Sequence, residues 1–484
     1  MNREEVLISI EESIATLESK RTYLLQEVNA VERELGEQKS RHASIINENT
    51  PLYKLPNELL VIILTTSHHL TSRARYPFTV LASHVSSRWR QVVLATPFLW
   101  NDIDLDIRGP LGHTRGRTLQ RLSAHLTRSD PCHLDISLSF GLTEEVAPYL
   151  ELISAHSKRW RRLSIVAKRE KVNDINIFLR PAITPALEHL SLHVGTPQDG
   201  LLSPRVAYRY VCPQILLAGA PSLSFVRLAG LALGNMHPAS NVISTLHLDG
   251  WTRHYMTHSQ FKTVFEGLPS LVHLSMNQLC IHHPRDPLAI TAPIRLPLLR
   301  SLRIRGPCAP PHRLLSLLRL PALESLSLLN METFDSDIIP TVQTLSLDSC
   351  TFGEVEIFNL FAAFPAVVHL GFDESVPDIY EMLCPMSEDS DTLIPWPSLR
   401  SLAVRELQTI DVDPLCAMIS KRAESGKPLA MVSLDRRSRH MLKSNAKHQH
   451  RMKWLEEKLR VDKAVAEEVW PAGLEYSDPH DLLE

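Results

Sequence analysis

Glycine is scarce in this 484-residue chain, with 17 residues against 33 prolines, and aromatic residues reach only 6%. Acidic and basic side chains nearly cancel, leaving a formal charge of −3. A balance so close to neutral argues against broad binding to nucleic acid or to an anionic membrane. The seven cysteines stand at least 28 residues apart, with an odd count and no C-x-x-C. That spacing argues against a disulfide framework or a zinc ribbon and for reduced, buried thiols in an intracellular protein. No run of eighteen apolar residues and no apolar leader occurs, so the expectation is a chain of the cytosol or nucleus with no membrane span.

Catalytic signatures are missing too. There is no G-x-x-x-x-G-K-[ST], no G-x-G-x-x-G behind a strand, no H-E-x-x-H and no G-x-S-x-G. Acidic pairs such as Glu144–Glu145 have no base near them in sequence. The expectation is a non-enzyme with no cofactor and no metal. A hydrolase hidden in the middle of the chain remains an alternative, and it would require a pocket of clustered, pKa-shifted groups.

Pattern is what the chain does have. Leu7, Ile10, Ile14, Leu17, Arg21, Leu24, Val28, Val31 and Leu35 alternate spacings of three and four, and all but Arg21 are apolar. A narrow stripe of this period is what a two-helix seam requires, so residues 1–46 are expected to form a coiled-coil helix. It would pair with a second copy or with another partner. A helix folded back onto the rest of the chain is the competing reading.

The segment from Pro51 to Leu64 starts a helix abruptly, with Pro56 at a tolerated first-turn position and Glu58 at the positive end of the dipole. A polar stretch over 65–77 is expected to be a link. Ser86 or Ser87 can cap a helix carrying Trp89, Val92 and Val93, and Pro97 is expected to end it. Three short helices in fifty residues cannot bury so many large apolar groups alone, which suggests a docking module. Leu55-Pro56-x-Glu58-Leu59-x-x-x-Ile63-Leu64, then Val85-Ser86-x-Arg88-Trp89-Arg90-x-Val92, then Pro97-x-Leu99-Trp100 resembles the F-box motif. The resemblance covers about fifty residues, and the boundary is set at 51–105. It implies an all-α three-helix module that docks on the Skp-type adaptor of a cullin–RING ubiquitin ligase. Carried over, Leu55, Pro56, Glu58, Leu59, Ile63, Val85, Trp89, Leu99 and Trp100 would serve adaptor binding or the packing behind it.

Over 106–420 one phrase recurs, Pro-x-Leu-x-x-Leu-x-Leu. It stands as PALEHLSL (185–192), PSLSFVRL (221–228), PSLVHLSM (269–276), PLLRSLRI (297–304), PALESLSL (321–328) and PSLRSLAV (397–404), with weaker copies between. The central apolar residues fall at 163, 190, 226, 246, 274, 302, 326, 345, 370 and 402, on average about 27 residues apart, inside the range of leucine-rich repeats. Alternating Leu-x-Leu predicts a short strand with one buried face, and the proline ahead of it is expected to stop the preceding helix. Helices are expected over 260–268, 312–320 and 357–364. The segment resembles the leucine-rich-repeat family, which implies an α/β solenoid with a parallel sheet on the concave side and helices on the convex side. One proline per unit accounts for the excess over glycine.

Residues flanking the buried leucines would face the concave side. They include His189, His193, Arg227, His247, Asp249, His273, Arg303, Arg305, His369 and Arg405, the candidates for binding a protein target. His189 and His193 are four apart on a strand, too far to share a metal. Beyond 420 the phrase fades into a cap or helical tail over 421–484. Seven Lys or Arg without an acidic residue lie between Arg436 and Lys453, an import signal or, in keeping with their helical spacing, a solvated face.

Together these features predict a substrate-recognition adaptor of an SCF-type cullin–RING E3 ligase. The F-box would dock the Skp-type adaptor and the repeats would hold a target near a charged ubiquitin carrier, acting by proximity. The alternative is an interaction scaffold that uses the same repeats outside a ligase. The overall layout is similar to that of fungal F-box proteins with leucine-rich repeats.

Overall fold

A computed structural model describes residues 3–48, 50–70, 78–107, 115–141, 145–195, 206–207, 214–250, 254–282, 293–306, 314–334, 336–373, 376, 379–388, 391–444 and 448–462. The chain divides into two compact units, Met1–Leu99 and Trp100–Glu484.

The first unit is helical. Helix α1 (Arg3–Glu48) is continuous over 46 residues, about 70 Å at 1.5 Å per residue. Its expected seam lies open, from 48% exposed at Leu24 to 65% at Leu17, so the stripe is not folded back onto the chain. After a 3₁₀ turn (Pro51–Lys54) come α2 (Asn57–Leu70), α3 (Phe78–Ser83) and α4 (Ser87–Leu94). Helix α2 runs six residues into the expected polar link, because Thr65 and Thr66 donate their hydroxyls to the Val61 and Ile62 carbonyls at 3.0 and 2.8 Å. Such back-bonding lets a polar residue stay helical. Residues 71–77 of that link lie outside the described residues. Helix α4 stops at Leu94, before Pro97, which instead opens a 3₁₀ turn to Trp100. Leu60, Leu64, Ala82, Val92, Val93 and Leu99 are buried.

The second unit is α/β, with one parallel sheet of fourteen strands in strictly sequential order, an architecture compatible with a solenoid-like repeat. The strands are β1 (Asp102–Ile107), β2 (Leu134–Phe140), β3 (Trp160–Ala167), β4 (His189–Val194), β5 (Phe225–Gly230), β6 (Thr245–Asp249) and β7 (His273–Asn277). They continue as β8 (Ser301–Arg305), β9 (Ser325–Leu329), β10 (Thr344–Asp348), β11 (His369–Phe372), β12 (Ser401–Val404), β13 (Met431–Leu434) and β14 (Arg460–Asp462).

The apolar column read from the phrase is the column of the sheet. Leu163, Leu190, Val226, Leu246, Leu274, Leu302, Leu326, Leu345, Leu370 and Leu402 sit in successive register. The sheet also extends the column at both ends, through Ile103 and Ile136 before it and Val432 and Val461 after it. It therefore starts inside the segment assigned to the F-box and runs on through the expected tail. All members but Val461 are at most 2% exposed, and burying each side chain is worth about 1.5–3 kcal/mol.

The recurrent proline has a task besides the one expected. Pro185, Pro221, Pro269, Pro297, Pro321, Pro340, Pro365 and Pro397 each occupy the second position of a β-turn closed by an i+3 N–H to i carbonyl bond, as from Leu323 to Leu320 at 3.3 Å. Proline's fixed φ suits that position, so it aims each strand; Pro269 and Pro365 also follow closely on the ends of helices at Glu266 and Ala363.

Helices cover the buried side unevenly. Helices α5 (Arg115–Arg128), α6 (Ala147–Ser154) and α7 (Val172–Leu179) follow β1, β2 and β3, while α8 (His258–Glu266), α9 (Glu354–Ala363) and α10 (Val412–Glu424) serve later units. The helix expected over 312–320 is cut short: after 312–313, outside the described residues, Leu314 and Leu315 are helical, a turn follows, and Leu318–Arg319 pairs with Ile294–Arg295 as a short parallel bridge. Units too short for a helix close with extended chain. Two glycines are required here for space: a Cβ on Gly250 would lie 2.7 Å from the Gln278 carbonyl oxygen, and one on Gly306 2.5 Å from that of Asn330. The basic stretch after residue 435 forms α11 (Arg436–Ser444) and α12 (Gln449–Lys458), which precede β14; residues 463–484 lie outside the described residues.

Candidate functional sites

The helical unit exposes a surface built on α2. Leu60 and Leu64, one turn apart, are buried, which turns Leu59, Ile62 and Ile63 outward at 47%, 58% and 43% exposure. Pro56 and Glu58 are exposed beside them, Leu55 and Trp89 are half-buried, and Val85 is 59% exposed. The Ser86 hydroxyl caps α4 by accepting the Trp89 N–H at 3.2 Å. Leu99 and Trp100, expected with this group, are core residues at 0% and 2% exposure. Trp100 belongs to the sheet unit, edge-on to His125 at 5.0 Å and under the Arg128 guanidinium at 4.5 Å, so it offers no docking surface.

Arg88, not among the residues expected to dock, holds the Leu55–Pro56 segment in place. Its guanidinium donates to the Tyr53 and Leu55 carbonyls and to Asn57 Oδ1 (2.9 and 3.1 Å), and lies 5.2 Å from the Tyr53 ring centroid. Arg90 ties α4 to α3 by donating to the Ser83 carbonyl at 2.9 Å. Their place in Arg-Trp-Arg was visible, but not that backbone carbonyls are their partners.

The sheet unit presents the face opposite its helices as three rows of side chains. The central row is Ser137, Ser164, Ser191, Arg227, His247, Ser275, Arg303, Ser327, Ser346, Gly371, Ala403 and Ser433. Side chains this small leave a low floor from which Arg227, His247 and Arg303 rise. The repeated Leu-Ser-Leu in the sequence carried that information, although only the larger polar residues were singled out.

Several expected target-binding residues are engaged within the face. Arg227 Nε meets Asp249 Oδ2 at 2.6 Å, with both side chains about five-sixths buried. Arg405 pairs with Asp348 and donates to Ser346 Oγ at 3.3 Å. His189 stacks on Phe225 at 4.1 Å and 3°, and His247 packs on the other side of that ring at 5.1 Å. Phe225, which stands where neighbouring copies carry His, Thr or Ser, was overlooked and is the apolar centre of this cluster. His273 has its pKa lowered by burial and then by Arg300. Arg303 and Arg305 adjoin Ser275 and Asn277 on β7; both are half-buried, as is His193, and His369 is exposed.

The candidates spread from β4 to β12, eight steps of about 4.8 Å, or about 38 Å. A span of that size fits a protein surface and is too wide for one small ligand. Among the described residues, no group of three or more His, Cys, Asp or Glu is placed to hold a metal, and no helix is long and apolar enough to cross a membrane. Cys132, Cys350, Cys384 and Cys416 are unpaired, and burial pushes the Cys350 thiol up to about 12 and that of Cys416 to about 11. Cys212 and Cys308 lie outside the described residues. No protein-family model matches the chain, and no curated protein matches it.

Proposed function

We propose that the chain is a non-catalytic adaptor, an F-box protein with leucine-rich repeats, that brings a protein target to an SCF-type ubiquitin ligase. The observation that carries this reading is the exposed stripe of Leu59, Ile62 and Ile63, next to a Leu55–Pro56 segment that Arg88 pins down. Exposed leucine and isoleucine at successive helical turns are costly to leave in water, and a docking partner removes that cost. The sheet face supplies the second half: a floor of serines with Arg303 and Arg305 standing on it, wide enough for a folded protein. Holding a target lysine beside the charged ubiquitin carrier raises its effective concentration, and the adaptor needs no chemistry of its own.

The test is co-purification of the full chain with a Skp-type adaptor, beside a Leu55→Ala/Pro56→Ala double variant. The expected result is a one-to-one complex that the double variant weakens at least tenfold, about 1.4 kcal/mol. No complex with folded wild type would overturn the ligase reading and leave an interaction scaffold.

A further inference from the structure

The open stripe of α1 carries information about its own partner, independent of the ligase reading. The stripe continues past Leu35 through Gln38, His42 and Ile45 in the same alternation, and Ile45 is 65% exposed. With Leu7 in the first core position (a) and Ile10 in the second (d), Arg21 falls at a. Two copies side by side in parallel register would stack Arg21 on Arg21, each in a hole that also contains Lys20 of the other helix. Glu27 would then face Glu32 on both flanks, against a single favourable pair type, Glu34 with Lys39.

Reversing one helix changes the balance. With the stripes fully overlapped, Leu7 lies opposite Ile45, Leu17 opposite Leu35 and Leu24 opposite Val28. Arg21 then faces Val31 in a hole that also contains Glu32 of the other copy, because e lies beside a on the helix and an antiparallel pair sets e against e. The flanks bring Glu11 to Lys39 and Lys20 to Glu34, each twice by symmetry. The remaining like pairs, Glu18 with Glu32 and Glu27 with Glu27, are fewer than the favourable ones, and Glu32 is also within reach of Arg21. We propose that α1 pairs with the α1 of a second copy of this chain as an antiparallel coiled coil in that register, with Arg21 as the residue that selects the orientation. A chain joined to its copy in this way carries one helical unit at each end of a rod about 70 Å long.

The experiment uses the full chain. Light scattering behind size-exclusion chromatography is expected to give the mass of two chains, and a monomer at high micromolar concentration would overturn the proposal. Arg21→Glu sets a glutamate against Glu32 in the antiparallel arrangement and is expected to weaken the dimer at least tenfold. In a parallel dimer the same change would relieve the stacked cations and tighten it, which would overturn the orientation. Adding Glu32→Lys to Arg21→Glu is expected to restore the dimer. Under mild oxidation, Leu7→Cys with Ile45→Cys is expected to cross-link two chains above the wild-type background, whereas Leu7→Cys alone is not; a cross-link from Leu7→Cys alone would again mean parallel helices.

Discussion

Leu326 and Leu24 are the same residue in equally regular patterns, yet Leu326 is 0% exposed and Leu24 is 48%. The difference lies in where the covering surface comes from. In the sheet unit each repeat is covered by the next repeat of the same chain, about 27 residues on, so the pattern supplies its own partner. The helical unit has one long helix and three short ones, and its apolar stripes have no successor to cover them. An apolar period announces a buried face only where the chain itself provides what buries it.

The largest test of that contrast is Leu326→Ala against Leu59→Ala. The first leaves a cavity between neighbouring repeats and is expected to cost about 2–5 kcal/mol; the second is expected to change the chain's own stability by less than about 0.5 kcal/mol. Denaturant unfolding measures both. If Leu59→Ala unfolds the helical unit, the stripe is core and the docking reading fails.

A second difference is in pH response. His237 is buried at 7% exposure, its Nε2 is 2.6 Å from the Leu233 carbonyl oxygen, and burial holds its pKa down to about 4. The unfolded chain, with an ordinary value near 6.5, binds a proton that the folded form refuses. Stability of the sheet unit is therefore full above about pH 6.5 and falls as the pH drops toward 4, by up to about 3 kcal/mol. Thermal unfolding across that range is expected to show the loss in the sheet unit, and His237→Gln is expected to flatten it.

Gly306→Ala is expected to cost about 1–3 kcal/mol, because the added methyl meets the Asn330 carbonyl and the Met331 sulfur at 2.5 and 2.9 Å. Gly267→Ala, where the nearest atom is 3.4 Å away, is the control. The smallest expected change in stability, within about 0.5 kcal/mol, is for Arg303→Glu with Arg305→Glu on the open sheet face. That pair is expected to alter target capture while leaving adaptor binding at its wild-type level, measured by pull-down of each partner in turn. Loss of both would mean that the two surfaces are not separate.

Much of the sheet was legible from the sequence because its signal is covalent and local. Ten apolar residues picked from a repeated phrase became ten successive positions of one column, since a period of two decides which face of a strand is buried. The edges were not legible: the Asp-Ile-Asp-Leu-Asp-Ile of β1 carries no leading proline, and β14 is three residues long. The helix expected over 312–320 gives way after Leu315 for a related reason, as a run of leucines fits a turn and a bridge as well as a helix when packing decides. On the candidate surfaces the side chains were visible in the sequence and their partners were not. Arg227 and Arg405 were read as reaching outward, and each is held by a carboxylate on a neighbouring strand or the next but one.

By itself the sequence determined the kind of element at each point and which side of it is apolar, because backbone sterics and side-chain alternation act within a few residues. Only the tertiary structure decided which charges are already spent on one another, that Phe225 sits between two histidines, and that Arg88 serves backbone carbonyls more than thirty residues away. Those outcomes depend on distances between segments remote in the chain, which no local pattern encodes.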